Sequence, residues 1–373
     1  MKVLYDNFIF QHQTIGGISR YCYELMNYYY KSKCLDFKFP IYYSLNQYIQ
    51  NAPFTPQMNF YMKSFLCKIG EFRSFLRKKN KSSVIRELKS KKYDIFHPSY
   101  FDDYFLDALD KAPNTKLVIT IYDMIIEAFA DEFGENEQKL SRYKDIIAHR
   151  ADKIFTISEF SKSEILKYYP DITEDKVKVI HLASALKEKE ENISLTLPEK
   201  YLLFVGARRF YKNFKFMLNS IAPLIKEKQI PLVVASPWDF DEEETKIIND
   251  KNISNLIIHM KPTDGELAHL YKNALCYIFP SMYEGFGIPV LEAFEFDCPV
   301  ITSNIASLPE VGSYACEYFD PKDENSIYET VKKVVENDDL RQQMKINGKK
   351  RLEDFSWEKT AIKTMQEYER VLN

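Results

Sequence analysis

Three short segments of the sequence combine glycine with charged residues directly after predicted β-strands. They carry Gly16 and Gly17 (TIGGISRY), Gly206 (FVGARRFYKN), and Gly285 and Gly287 (YEGFGIPVLEA), which are five of the ten glycines in the chain. Glycine is required where the backbone adopts positive φ or must approach a ligand closely. Strand carboxyl ends and helix amino-termini are where open α/β sheets bind phosphate groups. Any one of these junctions is typical of a tight turn, but the three together indicate a phosphate-bearing ligand.

The second and third junctions add charges of opposite sign. Arg208 and Lys212 are four residues apart and could bind the same anion, the guanidinium through two oxygens and the ammonium as a point charge; a solvated basic turn is the alternative. Glu284 lies at the mouth of the glycine loop, and Glu292 lies eight residues later on the helix that follows. Carboxylates repel phosphate but accept hydrogen bonds from vicinal diols, so this pair favours sugar and ribose hydroxyls. Taken alone, Glu292 could instead complement the helix dipole.

Other candidate chemistry is weaker. TIGGISRY lacks the third glycine of a GxGxxG motif, and no acidic residue follows about 20 positions later at a strand end, so a dinucleotide fingerprint is not predicted. Asp239 and Asp241 form a DxD that could hold a metal ion, but they run into three glutamates at 242–244 and are expected to begin a solvated acidic helix. The sequence contains no recognisable Ser-His-Asp or Cys-His set.

Two series of short apolar runs alternate with helical patterns and must position these residues. The first series of predicted strands comprises residues 2–9, 37–43, 94–97, 117–122, 153–157 and 177–181, and the second comprises residues 201–205, 232–235, 256–259, 276–279 and 300–302. Helices are predicted at residues 18–31, 136–150, 161–168, 214–228, 264–273, 289–296 and 327–337. Runs such as LVITIY are apolar on both faces, as in parallel strands that are covered on both sides. The alternation predicts two doubly wound α/β domains.

A polar segment rich in Lys and Glu separates the two series. We place an amino-terminal domain at residues 1–185, a linker at 186–199, a carboxyl-terminal domain at 200–356 and a final amphipathic helix at 357–373. Ser356 is a suitable N-cap for that helix, which we expect to return to the amino-terminal domain.

Length and composition exclude several classes of protein. A chain of 373 residues fits two domains, and 45% apolar and 28% charged residues are typical of a globular protein. The net charge of -3 argues against binding to nucleic acid. No apolar run is long enough to span a membrane, and the amino-terminus is expected to be a strand rather than a signal peptide. Six scattered cysteines without a CxxC pair indicate free thiols in a reducing cytoplasm.

One stretch departs from this balance. Residues 63–92 contain eleven Lys or Arg and two acidic residues, and apolar residues recur at helical spacing over residues 60–76. The pattern predicts a basic amphipathic helix or helix pair. It could form an interfacial surface for anionic lipid headgroups, which would suit a lipid-linked acceptor. The alternative is the solvated face of a helix that packs on its own sheet.

With these residues assembled, the chain resembles the retaining glycosyltransferases of family 4, which have the GT-B architecture. The similarity runs over nearly the whole length and is strongest at residues 280–320, where Glu284 and Glu292 match the E-x7-E motif of the family. Further matches are GGISRY, VITIYDMI, RADKIFTISEFS and VGARRFYKN. The resemblance implies two Rossmann-like domains that face each other across a cleft.

The resemblance also implies roles for individual residues. A nucleotide-diphosphate sugar would bind mostly to the carboxyl-terminal domain, and Arg208 and Lys212 would neutralise its diphosphate. Glu284 would bind hydroxyls of the donor sugar, and Glu292 would bind the ribose hydroxyls. The donor-binding set is Gly16, Gly17, Gly206, Gly285, Phe286, Gly287, Ile288 and Glu292, and no metal or other cofactor is expected because cationic side chains and a helix terminus stabilise the leaving phosphate.

One position departs from the pattern of the family. Many relatives have His-Asp where this chain has Tyr122 and Asp123. Asp123 is therefore a candidate catalytic residue on the acceptor side, together with Tyr122. His97 also ends a predicted strand and could face the acceptor, although a structural hydrogen-bonded role suits a single histidine equally well.

The expected activity is transfer of a hexose from GDP-mannose or a UDP-hexose to a glycan or lipid-linked acceptor in surface polysaccharide synthesis. The expected location is the cytoplasm, at the inner face of its membrane if residues 60–92 bind lipid. The alternatives are a nucleotide-sugar epimerase of the same architecture and a catalytically silent scaffold. The intact set of Arg208, Lys212, Glu284 and Glu292 argues against the scaffold.

Overall fold

The computed structural model describes residues 1–50, 52–55, 70–187 and 195–373. The chain divides into two compact units, one comprising Met1–Leu182 and Trp357–Asn373 and the other comprising Ala183–Ser356. Each unit contains one six-stranded sheet in which all described strand pairs are parallel. The prediction of two doubly wound α/β units is therefore confirmed.

The sheet of the first unit has the order β2-β1-β3-β4-β5-β6. Its strands are β1 (Lys2–Tyr5), β2 (Asp36–Lys38), β3 (Ile95–His97), β4 (Lys116–Ile121), β5 (Lys153–Thr156) and β6 (Val177–Val179). Over the described residues of this unit, the α-helices are Ile9–His12, Gly17–Ser32, Gln47–Gln50, Gly70–Lys89, Leu106–Leu109, Ile125–Ala128, Glu135–Arg150, Glu159–Tyr168 and Trp357–Leu372.

The sheet of the second unit has the order β12-β11-β10-β7-β8-β9. Its strands are β7 (Leu202–Val205), β8 (Leu232–Ala235), β9 (Ile257–Met260), β10 (Cys276–Phe279), β11 (Val300–Ser303) and β12 (Cys316–Phe319). Its α-helices are Phe214–Lys228, Glu242–Asp250, Asp264–Asn273, Ile288–Glu295, Leu308–Gly312, Glu324–Glu336 and Asp338–Leu352. Every residue of β8, β10 and β11 is buried, as expected of strands covered by helices on both faces.

Two strands of the first unit are shorter than predicted by at least four residues. The apolar run at residues 37–43 contributes only Asp36–Lys38, because Pro40 has no N–H for the ladder and the N–H of Tyr42 donates to Asn80 Oδ1 at 2.8 Å. The run at residues 2–9 leaves the sheet after Tyr5. In the second unit, β12 and the helix Asp338–Leu352 were not predicted, because β12 is a half-buried edge strand that contains Glu317 and the helix is mostly polar.

The last helix, Trp357–Leu372, packs within the first unit through hydroxyl groups as well as apolar contacts. Tyr368 Oη lies 2.9 Å from Tyr5 Oη. Tyr29 Oη donates to the carbonyl of Ala361 at 3.0 Å, and Thr360 Oγ1 donates to the carbonyl of His181 at 2.8 Å. Buried hydroxyls with hydrogen-bond partners fix the register of this helix on the sheet.

Part of the basic stretch forms the helix Gly70–Lys89, and residues 60–69 lie outside the described part of the chain. One face of the helix packs into the core of the first unit through Val84 and Leu88. Two of its cations are engaged by the protein, since Arg77 Nη2 donates to the carbonyl of Gln11 at 3.1 Å and Lys81 Nζ pairs with Asp102 at 2.8 Å. This segment therefore matches the alternative interpretation of a helix packed on its own sheet, with a basic outer face.

Candidate active site

The carboxyl ends of β7 and β10 mark the point at which the strand order of the second unit reverses. β7 is the first strand of this sheet and lies between β8 and β10. The chain moves outward through β8 and β9 and then returns to β10 on the other side of β7. Open α/β sheets bind ligands outside the carboxyl ends of their strands at such a switch point. The loops after β7 and β10 therefore occupy the position where this fold binds ligands.

The loop after β7 begins at Gly206, which has a φ of +117°. Its N–H donates to the carbonyl of Ala235 at 2.9 Å. No atom lies within 4 Å of the position that a Cβ would take, so there is space for a larger residue. The backbone angle is therefore the reason for glycine here. The loop continues through the 3-10 turn Phe210–Lys212 to Asn213, whose φ of +56° precedes the helix Phe214–Lys228.

The loop after β10 is constrained by both a backbone angle and a close contact. Gly287 has a φ of +105°, and a Cβ added there would lie 2.9 Å from Leu308 Cδ2. The Oγ of the buried Ser307 lies 2.9 Å from the carbonyl oxygen of Glu284 and 2.8 Å from that of Phe286. The hydroxyl donates to this pair of carbonyls and holds the turn between the two residues.

An ion pair and a backbone hydrogen bond join the two loops. Lys212 Nζ lies 2.5 Å from Glu284 Oε1, with the side chains 17% and 13% exposed. The N–H of Met282 donates to the carbonyl of Tyr211 at 2.7 Å. Lys212 Nζ also lies 5.2 Å from the centroid of the Phe279 ring. Two side chains of opposite charge, 72 residues apart in sequence, therefore neutralise each other at the switch point.

The guanidinium of Arg208 is committed mostly to the protein. Its side chain is 5% exposed, and Nε pairs with Oε1 of the buried Glu244 at 2.8 Å. Nη2 donates to the carbonyls of Trp238 at 3.1 Å and of Asp239 at 2.7 Å, while the group lies 4.7 Å from the Phe240 ring centroid. Nη1 is buried without a hydrogen-bond partner among the described residues.

Arg208 and Lys212 were predicted to bind the same anion. The structure does not bring them to a common partner, because Arg208 pairs with Glu244 and Lys212 pairs with Glu284. Of the two, Lys212 is the more accessible cation. The difference arises because Arg208 packs between aromatic rings instead of extending from a solvated turn.

Glu292 is the fifth residue of the helix Ile288–Glu295 and is 8% exposed. It lies close to the hydroxyl of Tyr271 on the helix Asp264–Asn273. Burial raises the pKa of Tyr271 well above its usual value, and the neighbouring Tyr277 hydroxyl and Glu292 carboxylate raise it further. The Glu292 carboxylate therefore lies in protected surroundings rather than on an open helix face.

The two carboxylates of the DxD sequence have separate partners. Asp239 pairs with Lys261 at 2.9 Å, which lowers the pKa of Asp239. Asp241 caps the helix Glu242–Asp250 and accepts a hydrogen bond from the N–H of Glu244 at 2.7 Å. The prediction that these residues begin a helix is confirmed, although Glu244 is buried rather than solvated. Over the described residues, no group of three or more His, Cys, Asp or Glu side chains is arranged to hold a metal ion.

In the first unit, the glycine junction does begin a helix, Gly17–Ser32. Gly16 is extended, and a Cβ added there would lie 2.4 Å from Gln13 Oε1. That oxygen accepts a hydrogen bond from the N–H of Ser19 at 3.1 Å. A side chain at position 16 would therefore displace the amide of Gln13 and its hydrogen bond to Ser19, and no positive φ requires glycine here.

His97 is a buried structural residue. Nδ1 lies 2.5 Å from Tyr368 Oη, and Nε2 lies 2.9 Å from Thr120 Oγ1. Burial lowers the pKa of His97 to about 3, so the ring is neutral at physiological pH. The prediction that His97 could face an acceptor is corrected, because both of its nitrogens are used inside the unit.

Tyr122 and Asp123 follow β4 and line one small cavity. The hydroxyl of Tyr122 is buried 3.8 Å from Cys22 Sγ, and burial raises its pKa. Asp123 Oδ1 accepts a hydrogen bond from the N–H of Ile125 at 3.2 Å, and its carbonyl accepts one from Lys144 Nζ at 3.0 Å. Asp123 is half-buried, whereas Tyr122 is buried.

Sequence reasoning missed several residues that hold these groups in place. Lys144 and Glu127 form a buried ion pair at 2.6 Å behind Asp123. Glu244 fixes Arg208, and Ser307 fixes the loop after β10. The D-x-x-E spacing of a capping box was a signal for Glu244 as a helix cap but not for its pairing with Arg208.

Within the part of the chain that the structure describes, no helix is long and apolar enough to cross a membrane. The described cysteines, at positions 22, 34, 276, 298 and 316, are free thiols.

Known proteins resemble this chain in sequence and in fold. The O-antigen chain mannosyltransferase B of Escherichia coli is 27% identical over 295 residues, which cover 75% of each chain. The serotype-specific mannosyltransferase WbdA of Escherichia coli is 28% identical over 241 residues; these are 60% of this chain and 29% of that longer protein. The crystal structure of Anabaena HepE in complex with UDP and glucose superposes with a TM-score of 0.69 at 13% identity and covers 99% of this chain and 100% of HepE.

Family descriptions match both units. Glycosyltransferase Family 4 matches residues 63–183, and Glycosyl transferases group 1 matches residues 186–351. The two matches together span more than half of the chain, and the second match includes the loops after β7 and β10. The protein is therefore a glycosyltransferase of the GT-B type and belongs to family 4.

Proposed function

We propose that this glycosyltransferase transfers a hexose from a nucleotide-diphosphate donor to a glycan or lipid-linked acceptor in the synthesis of a surface polysaccharide, with retention of configuration. GDP-mannose is the first candidate donor, because both Escherichia coli relatives are named mannosyltransferases. A UDP-hexose is the second, since HepE shares the fold and is bound to UDP and glucose.

The ion pair between Lys212 and Glu284 carries the proposal. A donor diphosphate would replace the Glu284 carboxylate as the partner of Lys212 Nζ. The released carboxylate would then accept hydrogen bonds from the donor sugar. Lys212 would then stabilise the negative charge that develops on the departing phosphate. The acceptor would attack from the same face as that phosphate, and positioning rather than a protein nucleophile would supply the rate enhancement.

Backbone and carboxylate groups would complete the donor site. The N–H groups of Gly285, Phe286, Gly287 and Ile288 lie in the loop and at the start of the helix Ile288–Glu295, where they suit phosphate or sugar oxygens. Glu292, farther along this helix, would accept hydrogen bonds from the ribose. Gly206 would let the donor approach the backbone after β7. Since most of its donors are engaged by the protein, we assign Arg208 a positioning role in this site.

The acceptor would bind to the first unit. Asp123 is the proposed acceptor-facing carboxylate, and the buried pair of Lys144 and Glu127 would hold it in place. Tyr122 would shape the same cavity. Gly16 and Gly17, at the start of their helix, would contribute to donor binding through their backbone.

We also propose that the protein acts at the cytoplasmic face of a membrane. On the outer face of the helix Gly70–Lys89, the side chains of Arg73, Lys78 and Lys79 are exposed and suit anionic headgroups.

The experiment is a transfer assay with GDP-mannose or UDP-glucose, a lipid-linked oligosaccharide acceptor, and EDTA in a parallel sample. We expect a glycosylated acceptor with the α-linkage of the donor. The rate of transfer in EDTA should stay within about twofold of the rate without EDTA, because no metal is assigned to the leaving group. Lys212→Gln should abolish transfer and serves as the control. Donor hydrolysis with an altered sugar would indicate an epimerase instead, and failure to bind any nucleotide sugar would indicate a scaffold.

A further inference from the structure

An exposed tryptophan follows β8 at the carboxyl edge of the second sheet. Trp238 is one of two tryptophans in the chain, and 54% of its surface is exposed. Large aromatic side chains that remain exposed on a well-ordered surface are typical of binding sites, since they offer apolar area with little conformational entropy to lose.

The backbone around Trp238 is fixed on several sides. Arg208 Nη2 donates to the carbonyls of Trp238 and Asp239, and Lys261 holds the Asp239 carboxylate at 2.9 Å. His259 Nε2 lies 3.1 Å from the carbonyl oxygen of Ser236. The loop therefore presents its indole from an ordered backbone, and a ligand would not have to order that backbone when it binds.

The strand order places this loop beside the proposed donor site. β8 is hydrogen-bonded to β7, so the loop that carries Trp238 lies next to the loop that begins at Gly206. Arg208 also connects the two loops directly, because it belongs to the loop after β7 and donates to the carbonyl of Trp238. Trp238 thus lies beside the proposed phosphate site.

We propose that Trp238 is the stacking platform for the nucleobase of the donor, an inference that rests on the proposed function. The base is the one aromatic part of a nucleotide-diphosphate hexose, and every base presents a π-face to an indole. Arg208 donates a hydrogen bond to the Trp238 carbonyl and so fixes the position of Trp238 relative to the phosphate site. Arg208 therefore contributes to donor binding by positioning this loop.

The chain contains a matched control for this residue. Tyr314 is 52% exposed in the same unit, but it lies in the 3-10 turn Ser313–Ala315 just before β12 and so at the amino edge of the sheet. Removing its ring should leave nucleotide binding unchanged.

The test uses the full chain with Trp357→Phe, which leaves Trp238 as its sole tryptophan. UDP or GDP should quench the fluorescence of Trp238, whereas mannose 1-phosphate, which lacks a base, should not. In calorimetry, Trp238→Ala should weaken binding of UDP or GDP by about 5- to 150-fold, the range expected for the loss of one base–aromatic stack. Trp238→Phe should recover part of the loss, and Tyr314→Ala should bind like the parent protein.

Unchanged nucleotide affinity in Trp238→Ala would overturn the inference and leave the proposed function intact, provided that the parent protein binds UDP or GDP. A variant that changes only the KM of the acceptor would also overturn it and assign Trp238 to the glycan. Failure of the parent protein to bind any nucleotide would overturn the inference and the proposed function together.

Discussion

Replacing Glu284 by Gln should tighten the binding of free UDP or GDP while it lowers turnover. The Glu284 carboxylate holds Lys212 Nζ at 2.5 Å, and both side chains are less than a fifth exposed. A phosphate has to break this ion pair in order to reach the ammonium. Gln keeps the size of the side chain but removes its charge, so the competition for Lys212 weakens and the repulsion of the diphosphate disappears.

The size of the effect follows from the contact that is exchanged. A hydrogen bond to a charged group contributes about 1.5–3 kcal/mol. The substitution should change the free energy of nucleotide binding by less, about 1–2 kcal/mol, because the amide oxygen of Gln still accepts a hydrogen bond from Lys212. Affinity for UDP or GDP should then rise about 5- to 30-fold. For the complete donor, this gain is offset by the weaker contact to the sugar hydroxyls. Donor affinity should therefore change little while kcat falls.

Calorimetry with UDP and GDP, steady-state kinetics and melting temperatures measure these quantities. Lys212→Gln should weaken nucleotide binding, in contrast to Glu284→Gln. Glu317→Gln removes a carboxylate from an ion pair with Lys333 at 2.8 Å elsewhere in the second unit and should leave binding unchanged. If Glu284→Gln weakens nucleotide binding as much as Lys212→Gln does, the exchange of partners at Lys212 is refuted.

Three other predictions address the ribose contact, the buried histidine and the basic helix. Glu292→Gln should raise the KM for the donor about 10- to 100-fold and spare kcat, because a ribose contact is equally strong in the ground and transition states; a fall in kcat alone would contradict this. Burial lowers the pKa of His97 from 6.5 to about 3, so on acidification from about pH 7.5 to about pH 5 only the unfolded chain gains that proton. The free energy of unfolding should therefore fall by about 2 kcal/mol through this group. Urea unfolding of His97→Gln should show a correspondingly flatter pH dependence, and a slope equal to that of the parent would refute the reasoning. Replacing Arg73, Lys78 and Lys79 by Gln should release the protein from anionic vesicles and leave nucleotide affinity unchanged, whereas equal vesicle binding by both proteins would rule out this surface.

Features that depend on contiguous residues were predictable from the sequence. The bounds of β8, β10 and the helices Phe214–Lys228, Asp264–Asn273 and Trp357–Leu372 agree with the structure, because their periodicity and flanking signals are local. Glycine at position 206 was expected either for a positive φ or for a close approach to a ligand, and its φ is positive. The E-x7-E motif and the glycine loop lie within one short segment, so the family could be identified without tertiary contacts.

Tertiary structure decided which partner each charged or polar side chain has. Arg208 meets Glu244 across 36 residues, Lys212 meets Glu284 across 72, and His97 meets Tyr368 across 271. No local pattern encodes such pairs, because they form only when strands that are distant in sequence become neighbours in a sheet. Tertiary contacts also decided which cations of the basic helix are exposed. Arg77 binds the carbonyl of Gln11 and Lys81 pairs with Asp102, whereas other cations of this helix face solvent. The sequence by itself determined the elements and the family, and the order of strands in the sheet determined which residues share a site.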